Sequence, residues 1–216
     1  MIGDKLVITD YHRAGAKKVW DVLLPKLKES STALAVTVAG ESGSGKSEIG
    51  HCLAELAEQA GYKAFVFGQD DYFSLPPKSN HNKRVDDISW VGPGEVHLDL
   101  LDKHILALKT NGAKALEKPL VYFDENQIKS ETIQPGKLHL VIAEGTYTSL
   151  LENVDLRAFI NRNYRQTKKA RLKRNRDPDV KFLERVLEIE HKEISQHKAR
   201  ADVVIDPPAE ERELAE

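Results

Sequence analysis

Apolar residues recur along this chain with two periods, and their alternation predicts an α/β fold. Residues 11–30 carry Val19, Trp20, Leu23, Leu24 and Leu27 at helical spacing, which predicts an amphipathic helix. Residues 33–39 (ALAVTVA) are a short apolar, partly β-branched run and predict a buried strand. Helical periodicity returns from Lys46 to Ala60 through Ile49, Leu53, Leu56 and Ala57, and Gly61 stands where a helix C-terminal glycine belongs. Residues 63–68 (KAFVFG) predict a second strand. Pro, Asn, Lys and Asp crowd 74–94 around a Gly-Pro-Gly, so this stretch is expected to be a long functional or mobile loop. A helix is predicted over 95–109, strands over 119–123, 138–143 and 155–160, a helix over 179–198 and a last strand over 202–206. Alternating strands and helices imply a mainly parallel sheet covered on both faces, with right-handed crossovers. Ligands of such sheets bind beyond the carboxyl ends of the strands, so every strand-end motif falls on one edge.

Composition narrows the setting. The chain has 216 residues, 40% of them hydrophobic and 31% charged, the profile of a soluble globular protein. A formal net charge of -2 offers no basic field, so a nucleic-acid partner is not expected. Cys52 is the only cysteine, which excludes an internal disulfide and a cysteine-based zinc site and fits a reducing compartment. The first residues carry charges where a signal peptide needs an apolar run, and no stretch is apolar enough to span a bilayer. A cytoplasmic location without a membrane partner is the expectation. The expected division is a helical extension over 1–32, a nucleotide-binding domain over 33–208 and a frayed acidic tail over 209–216. The apolar face of the extension, with Trp20 on it, is expected to pack on the sheet or against a second copy of the chain.

The chemistry starts at Gly40-Glu41-Ser42-Gly43-Ser44-Gly45-Lys46-Ser47, which fits G-x-x-x-x-G-K-[ST] between a strand and a helix. Glycines let the backbone turn successive N–H groups toward one point, and the following helix aims its unpaired N-terminal N–H groups there too. Lys46 adds a positive charge for the β- and γ-phosphates, and the Ser47 hydroxyl is placed to ligate magnesium. ATP and Mg2+ are therefore the expected cofactors.

Other features separate the kinds of nucleotide-binding protein. The one Asn-Lys pair, Asn82-Lys83, lacks the aspartate of a guanine-reading motif, and Asp-x-x-Gly occurs nowhere. The strand 138–143 ends in Glu144-Gly145, a single acid that suits water-mediated magnesium binding better than a hydrolysis dyad. Asp70 and Asp71 follow KAFVFG directly. A carboxylate at that strand end can take the proton of an attacking hydroxyl. Asp70 is the expected base and a possible magnesium neighbour, with Asp71 the alternative. Arg162, Arg165, Lys168, Lys169, Arg171, Lys173, Arg174 and Arg176 make 162–178 a candidate lid whose cations would stabilise a transferring phosphoryl group.

These anchors together resemble the uridine kinase and phosphoribulokinase group of P-loop kinases, over about residues 33–206. The resemblance rests on AVTVAGESGSGKSE, GQDDYF, VIAEGTY, LRAFI with its Arg-rich sequel, and ADVVID. It implies a five-stranded parallel core, ATP as donor and a primary hydroxyl of a small metabolite as acceptor. It implies Asp70 as catalytic aspartate, Glu144 as the acid near magnesium, and Arg171, Arg174 and Arg176 in the lid. It places adenine near Pro207 and Pro208. Where uridine kinases have Phe-Asp-His-Pro, this chain has Arg84-Val85-Asp86-Asp87-Ile88, which makes Asp86 the candidate ribose ligand. Tyr122 falls in the segment that reads uracil in uridine kinases. Tyr72 and Trp90 are candidates to stack on an acceptor ring, and Lys83 and Arg84 to bind a phosphorylated one. A nucleoside is the first expected acceptor. A phosphorylated sugar or pantothenate-like alcohol is the second, and an ATP-binding regulator without acceptor is the competing class.

Overall fold

The computed structural model describes residues 6–110, 115–174 and 180–211, with side chains left out at 169, 170, 172–174 and 180. Helix α1 (Asp10–Glu29) leads into strand β1 (Leu34–Gly40), helix α2 (Lys46–Gln59) and strand β2 (Ala64–Gly68). A 3-10 turn over Gln69–Tyr72 follows, then α3 (Pro77–Asp86) and α4 (Leu98–Lys109). Next come β3 (Leu116–Tyr122), β4 (Gln127–Ile133), β5 (Leu140–Gly145) and β6 (Leu156–Ile160). The chain continues as α5 (Tyr164–Arg174), α6 (Val180–Ile194) and β7 (Val203–Ile205).

Five strands form one parallel sheet in the order β2-β5-β1-β6-β7. Side chains alternate across a strand, so β1 feeds two cores. Val36 and Val38 join the apolar faces of α1 and α2, while Ala35 and Ala39 join Leu101, Ile105 and Leu108 of α4. Helix α1 packs on the sheet side through Ala16, Val19, Trp20, Leu23 and Leu27. A Cβ on Gly15 would lie 3.0 Å from Ile49 and 3.2 Å from Ile205, so glycine is what lets α1 approach α2 and β7 this closely. Trp20 is thus a core residue, and Cys52 is buried in the same cluster. Among the described residues, no helix is long and apolar enough to cross a membrane.

Two elements depart from the expectation. The stretch 74–94 is not a loop throughout, because α3 occupies its middle. Only Asn80 of α3 is buried, so the helix has almost no apolar face to betray it. Pro77 pre-sets its first turn, and side-chain bonds to a buried carboxylate hold it down. The second departure is β4, which pairs antiparallel with β3 as a separate hairpin outside the main sheet. Its sequence, QIKSETI, has two apolar residues five positions apart, and none of its residues is buried.

Candidate active site

The phosphate loop links β1 to α2 where the sheet expectation put it. Gly43 and Gly45 have φ of 75° and 101°, a left-handed backbone that glycine adopts without strain. Gly45 is the N-cap of α2, so the first N–H groups of that helix open into the loop. Lys46 Nζ donates to the Glu41 carbonyl at 3.0 Å, which folds the lysine back across the loop.

Strand register carries the acids to the same edge. Glu144 lies beside Val38 on one flank and Gly68 on the other. Burial and the neighbouring charge of Asp70 push its carboxyl up to about 7, against the pull of Lys46 and a Ser47 hydrogen bond. Asp70 and Glu144 repel each other, and Lys46 offsets part of the charge on Glu144. The donor set is carboxylate and hydroxyl oxygen, the preference of a hard cation such as Mg2+. Among the described residues no group of three or more His, Cys, Asp or Glu could hold a metal ion.

The two adjacent aspartates separate cleanly. Asp70 is exposed and has no hydrogen-bond partner among the described residues. Asp71 is 4% exposed, accepts the Val121 N–H at 2.9 Å and meets Lys118 Nζ at 3.4 Å. It anchors the hairpin to the turn after β2.

A family model described as the Phosphoribulokinase / Uridine kinase family matches residues 35–206. The chain belongs to this family. It is 33% identical over 128 residues to a uridine kinase of Serratia proteamaculans, covering 58% of each protein. It is 23% identical over 186 residues to the bifunctional alpha-galactosidase/sucrose kinase AgaSK of Mediterraneibacter gnavus, covering 80% of this chain and 20% of that one. The chain therefore spans only a fifth and somewhat over half of these curated relatives. A solved structure of a possible uridine kinase from Bacillus stearothermophilus shares the fold, with a TM-score of 0.66, 16% identity and coverage of 90% of this chain and 98% of that one.

Against this P-loop kinase fold, several expected site residues stand elsewhere. Tyr72 cannot stack on an acceptor: it is 1% exposed, bonded to His104 at 2.9 Å and packed on Phe67, and burial with the nearby Asp71 raises its pKa. Asp86 ends α3 on an exposed surface. Lys129 Nζ sits 4.1 Å from the ring centre of Tyr122, which covers one face of that ring. Arg84 is not a free cation in a loop. It donates to Glu95 at 2.6 and 2.9 Å and to Glu190 at 3.2 Å, and these acids outweigh burial and hold its pKa up. Trp90 donates to Asn80 at 2.9 Å, with Lys83 over its ring.

In the predicted lid, Arg162 is occupied by Glu211 through two 2.5 Å bonds, which ties the start of the acidic tail down. Arg171 lies against the phosphate loop, half-buried, with its pKa lowered by burial. Arg174 is described as backbone only, and Arg176 and the tail from 212 lie outside the described residues.

His12 reaches the site without a sequence signal, and Glu41 of the loop motif makes contacts that the motif does not announce. His12 of α1 is held through Nδ1 by the Thr9 N–H at 3.0 Å, and its Nε2 lies 2.6 Å from where a Gly45 Cβ would be. Glu41 accepts from Tyr164 and pairs with His191, each at 2.7 Å. Two of the clefts among the described residues could take a ligand. One of about 420 Å³ lies at the ends of β6 and β7 and includes Asn161, Gln166, His191, Asp206 and Pro207. The other, about 540 Å³, lies between α3, the hairpin turn and α6 and includes His81, Phe123, Phe182, Leu183 and Val186.

Proposed function

We propose that this chain is an ATP-dependent kinase that moves the γ-phosphate of Mg-ATP to a hydroxyl of a small metabolite. The observation that carries the reading is the contrast at the end of β2. Asp71 is spent on structure, while Asp70 stands unbonded beside Glu144 at the phosphate loop. An unbonded carboxylate there is free to receive a proton.

On this reading Gly40–Ser47 cradles the triphosphate, with Lys46 on its β- and γ-oxygens. Glu144, Ser47 and Asp70 would hold magnesium, whose charge would offset that of the phosphates. Asp70 takes the acceptor's hydroxyl proton as that oxygen bonds to the γ-phosphorus and ADP departs. The cleft at the ends of β6 and β7 takes adenine, near Pro207 as the family resemblance implies. Helices α5 and α6 act as the lid, with Arg171 as its phosphate-facing cation; Arg174 and Arg176 are further candidates for that role. Closure keeps water from competing for the phosphoryl group.

The cleft walled by Phe123, Phe182 and His81 is the proposed acceptor side. Its aromatic walls favour a flat ring, which keeps a nucleoside as the first acceptor. Asp86, exposed at the end of α3, and Tyr122, under Lys129, do not line this cleft. A sugar is the second reading, favoured by the similarity to the protein named as a sucrose kinase.

The test is ADP release in a coupled assay with nucleosides, sugars, sugar phosphates and pantothenate, with product mass read by mass spectrometry. One compound should stimulate turnover and appear with an added phosphoryl group. Lys46→Ala should cut that turnover on the order of a thousandfold while leaving the melting temperature near that of the parent. Wild-type rates in this variant at saturating ATP would sink the reading.

A further inference from the structure

A carboxylate as the second residue of an anion-binding loop is a poor choice for touching phosphate, because like charges repel. Glu41 is nevertheless only 5% exposed, and its two oxygens point to other work. Oε2 accepts the N–H of Tyr164, the first residue of α5, at 2.7 Å. Oε1 meets Nδ1 of His191, on α6, also at 2.7 Å. A helix leaves its first N–H groups unpaired, and an anion there also suits the positive end of the helix dipole. Glu41 therefore caps α5 from outside, beside the local cap that Asn163 gives to Arg165 and Gln166.

The contact continues in register. Thr167 Oγ1 donates to the Ser42 carbonyl at 3.0 Å. A Cβ on Gly43 would lie 2.7 Å from Cγ of Arg171, so the arginine stem runs over that glycine. Loop residues 41, 42 and 43 thus meet helix residues 164, 167 and 171, whose spacings of three and four place them on one face of α5. The guanidinium of Arg171 is held by the Tyr164 carbonyl at 2.5 Å and the Thr167 hydroxyl at 2.6 Å. Its Nε is buried and has no hydrogen-bond partner among the described residues.

We propose that Glu41 is a positioning residue: it latches α5 and α6 to the phosphate loop and thereby sets Arg171 over the loop for phosphoryl transfer. The kinetic part of this inference rests on the kinase reading above; the latch itself does not. The latch also explains why glycine is needed at 43, since any side chain there would displace the arginine.

Hydrogen exchange and kinetics on Glu41→Ala and Glu41→Gln test it. In Glu41→Ala, amides of 164–171 should exchange at least tenfold faster with β1 and α2 unchanged. Turnover should fall ten- to a hundredfold with KM for ATP within threefold, and acceptor-independent ATP hydrolysis should become a larger share of the total. Glu41→Gln, which keeps an acceptor for the Tyr164 N–H, should recover much of both. Unchanged exchange at 164–171 would overturn the latch. So would a loss of ATP affinity as large as the loss of turnover, since Glu41 would then be serving the nucleotide. If Glu41→Ala does not fold, Thr167→Val carries the same exchange test, with a severalfold acceleration at 164–171 expected and none overturning the proposal. If no acceptor stimulates the wild-type protein, the kinase reading fails, and the exchange result still decides the latch.

Discussion

The phosphate loop and the proposed acceptor cleft of this molecule are built in opposite ways. The loop is eight consecutive residues, Gly40–Ser47, strung between a strand buried on both faces and the helix that follows it. The cleft gathers α3, a hairpin turn and α6 from distant parts of the chain. It is held by buried carboxylates: Glu95 accepts from Asn80 at 2.6 Å, from Arg84 and from the Gly92 N–H at 2.8 Å, and Glu190 of α6 accepts from Arg84 at 3.2 Å. Recognition of a phosphate uses backbone N–H groups that every sequence of this pattern supplies. Recognition of an acceptor uses side chains on elements with little core of their own, and such elements can vary without disturbing the sheet.

Substitutions can break this contrast at several strengths. The largest effect is expected from Asp70→Asn, which should lower turnover about a hundredfold to ten-thousandfold with ATP affinity within threefold. Asp71→Ala should do the reverse: turnover within tenfold, but about 2 kcal/mol lost in urea unfolding as the Val121 N–H loses its acceptor. If Asp71→Ala removes turnover and Asp70→Asn does not, the two roles are exchanged. Next comes Glu95→Ala, which leaves Arg84 with Glu190 alone and takes the acceptor from the Asn80 amide, and should cost about 3–5 kcal/mol in the same measurement. Equal stability to the parent would mean that α3 is held some other way.

Smaller again is the pH response of Glu144. Its folded carboxyl titrates near 7, above its ordinary value of 4.5, so between these limits the native state binds the extra proton. Stability without metal should therefore fall as pH rises from about 4.5 to about 7, and Glu144→Gln should flatten that slope in melting curves. A slope unchanged in the variant would assign it to another group. The smallest effect belongs to Asp86→Ala, expected to leave acceptor KM within threefold; a tenfold rise would restore Asp86 to the acceptor site.

Sequence pattern made the sheet legible because its strands are apolar on both faces and its helices carry apolar stripes. The phosphate loop, Glu144 and the Asp70–Asp71 pair were legible because each follows a strand end. Which aspartate is free was not, since that depends on β3 of the hairpin, whose Val121 N–H and Lys118 reach Asp71 from a distant part of the chain. The same limit hid α3, whose hold is polar and nonlocal, and it concealed that Tyr72 is buried and that Asp86 stands exposed at the end of α3. Glu41 was read as a loop residue facing the cofactor, and only the register of α5 against 41–43 reveals a different partner. Contacts such as His12 on Gly45 join positions 33 residues apart through a close approach that no periodicity encodes.

Cys52 sits 3% exposed in the cluster that α1 closes over, and burial raises its thiol pKa. It is the sole thiol in the chain. A thiol reagent can therefore react at one place only, and only after that cluster opens to solvent. The modification rate becomes a stopwatch for the undocking of α1, readable on the unlabelled natural protein. Because α1 also carries His12 onto the phosphate loop, slowing of that clock by nucleotide would report, in seconds rather than ångströms, how firmly the first helix is tied to the site.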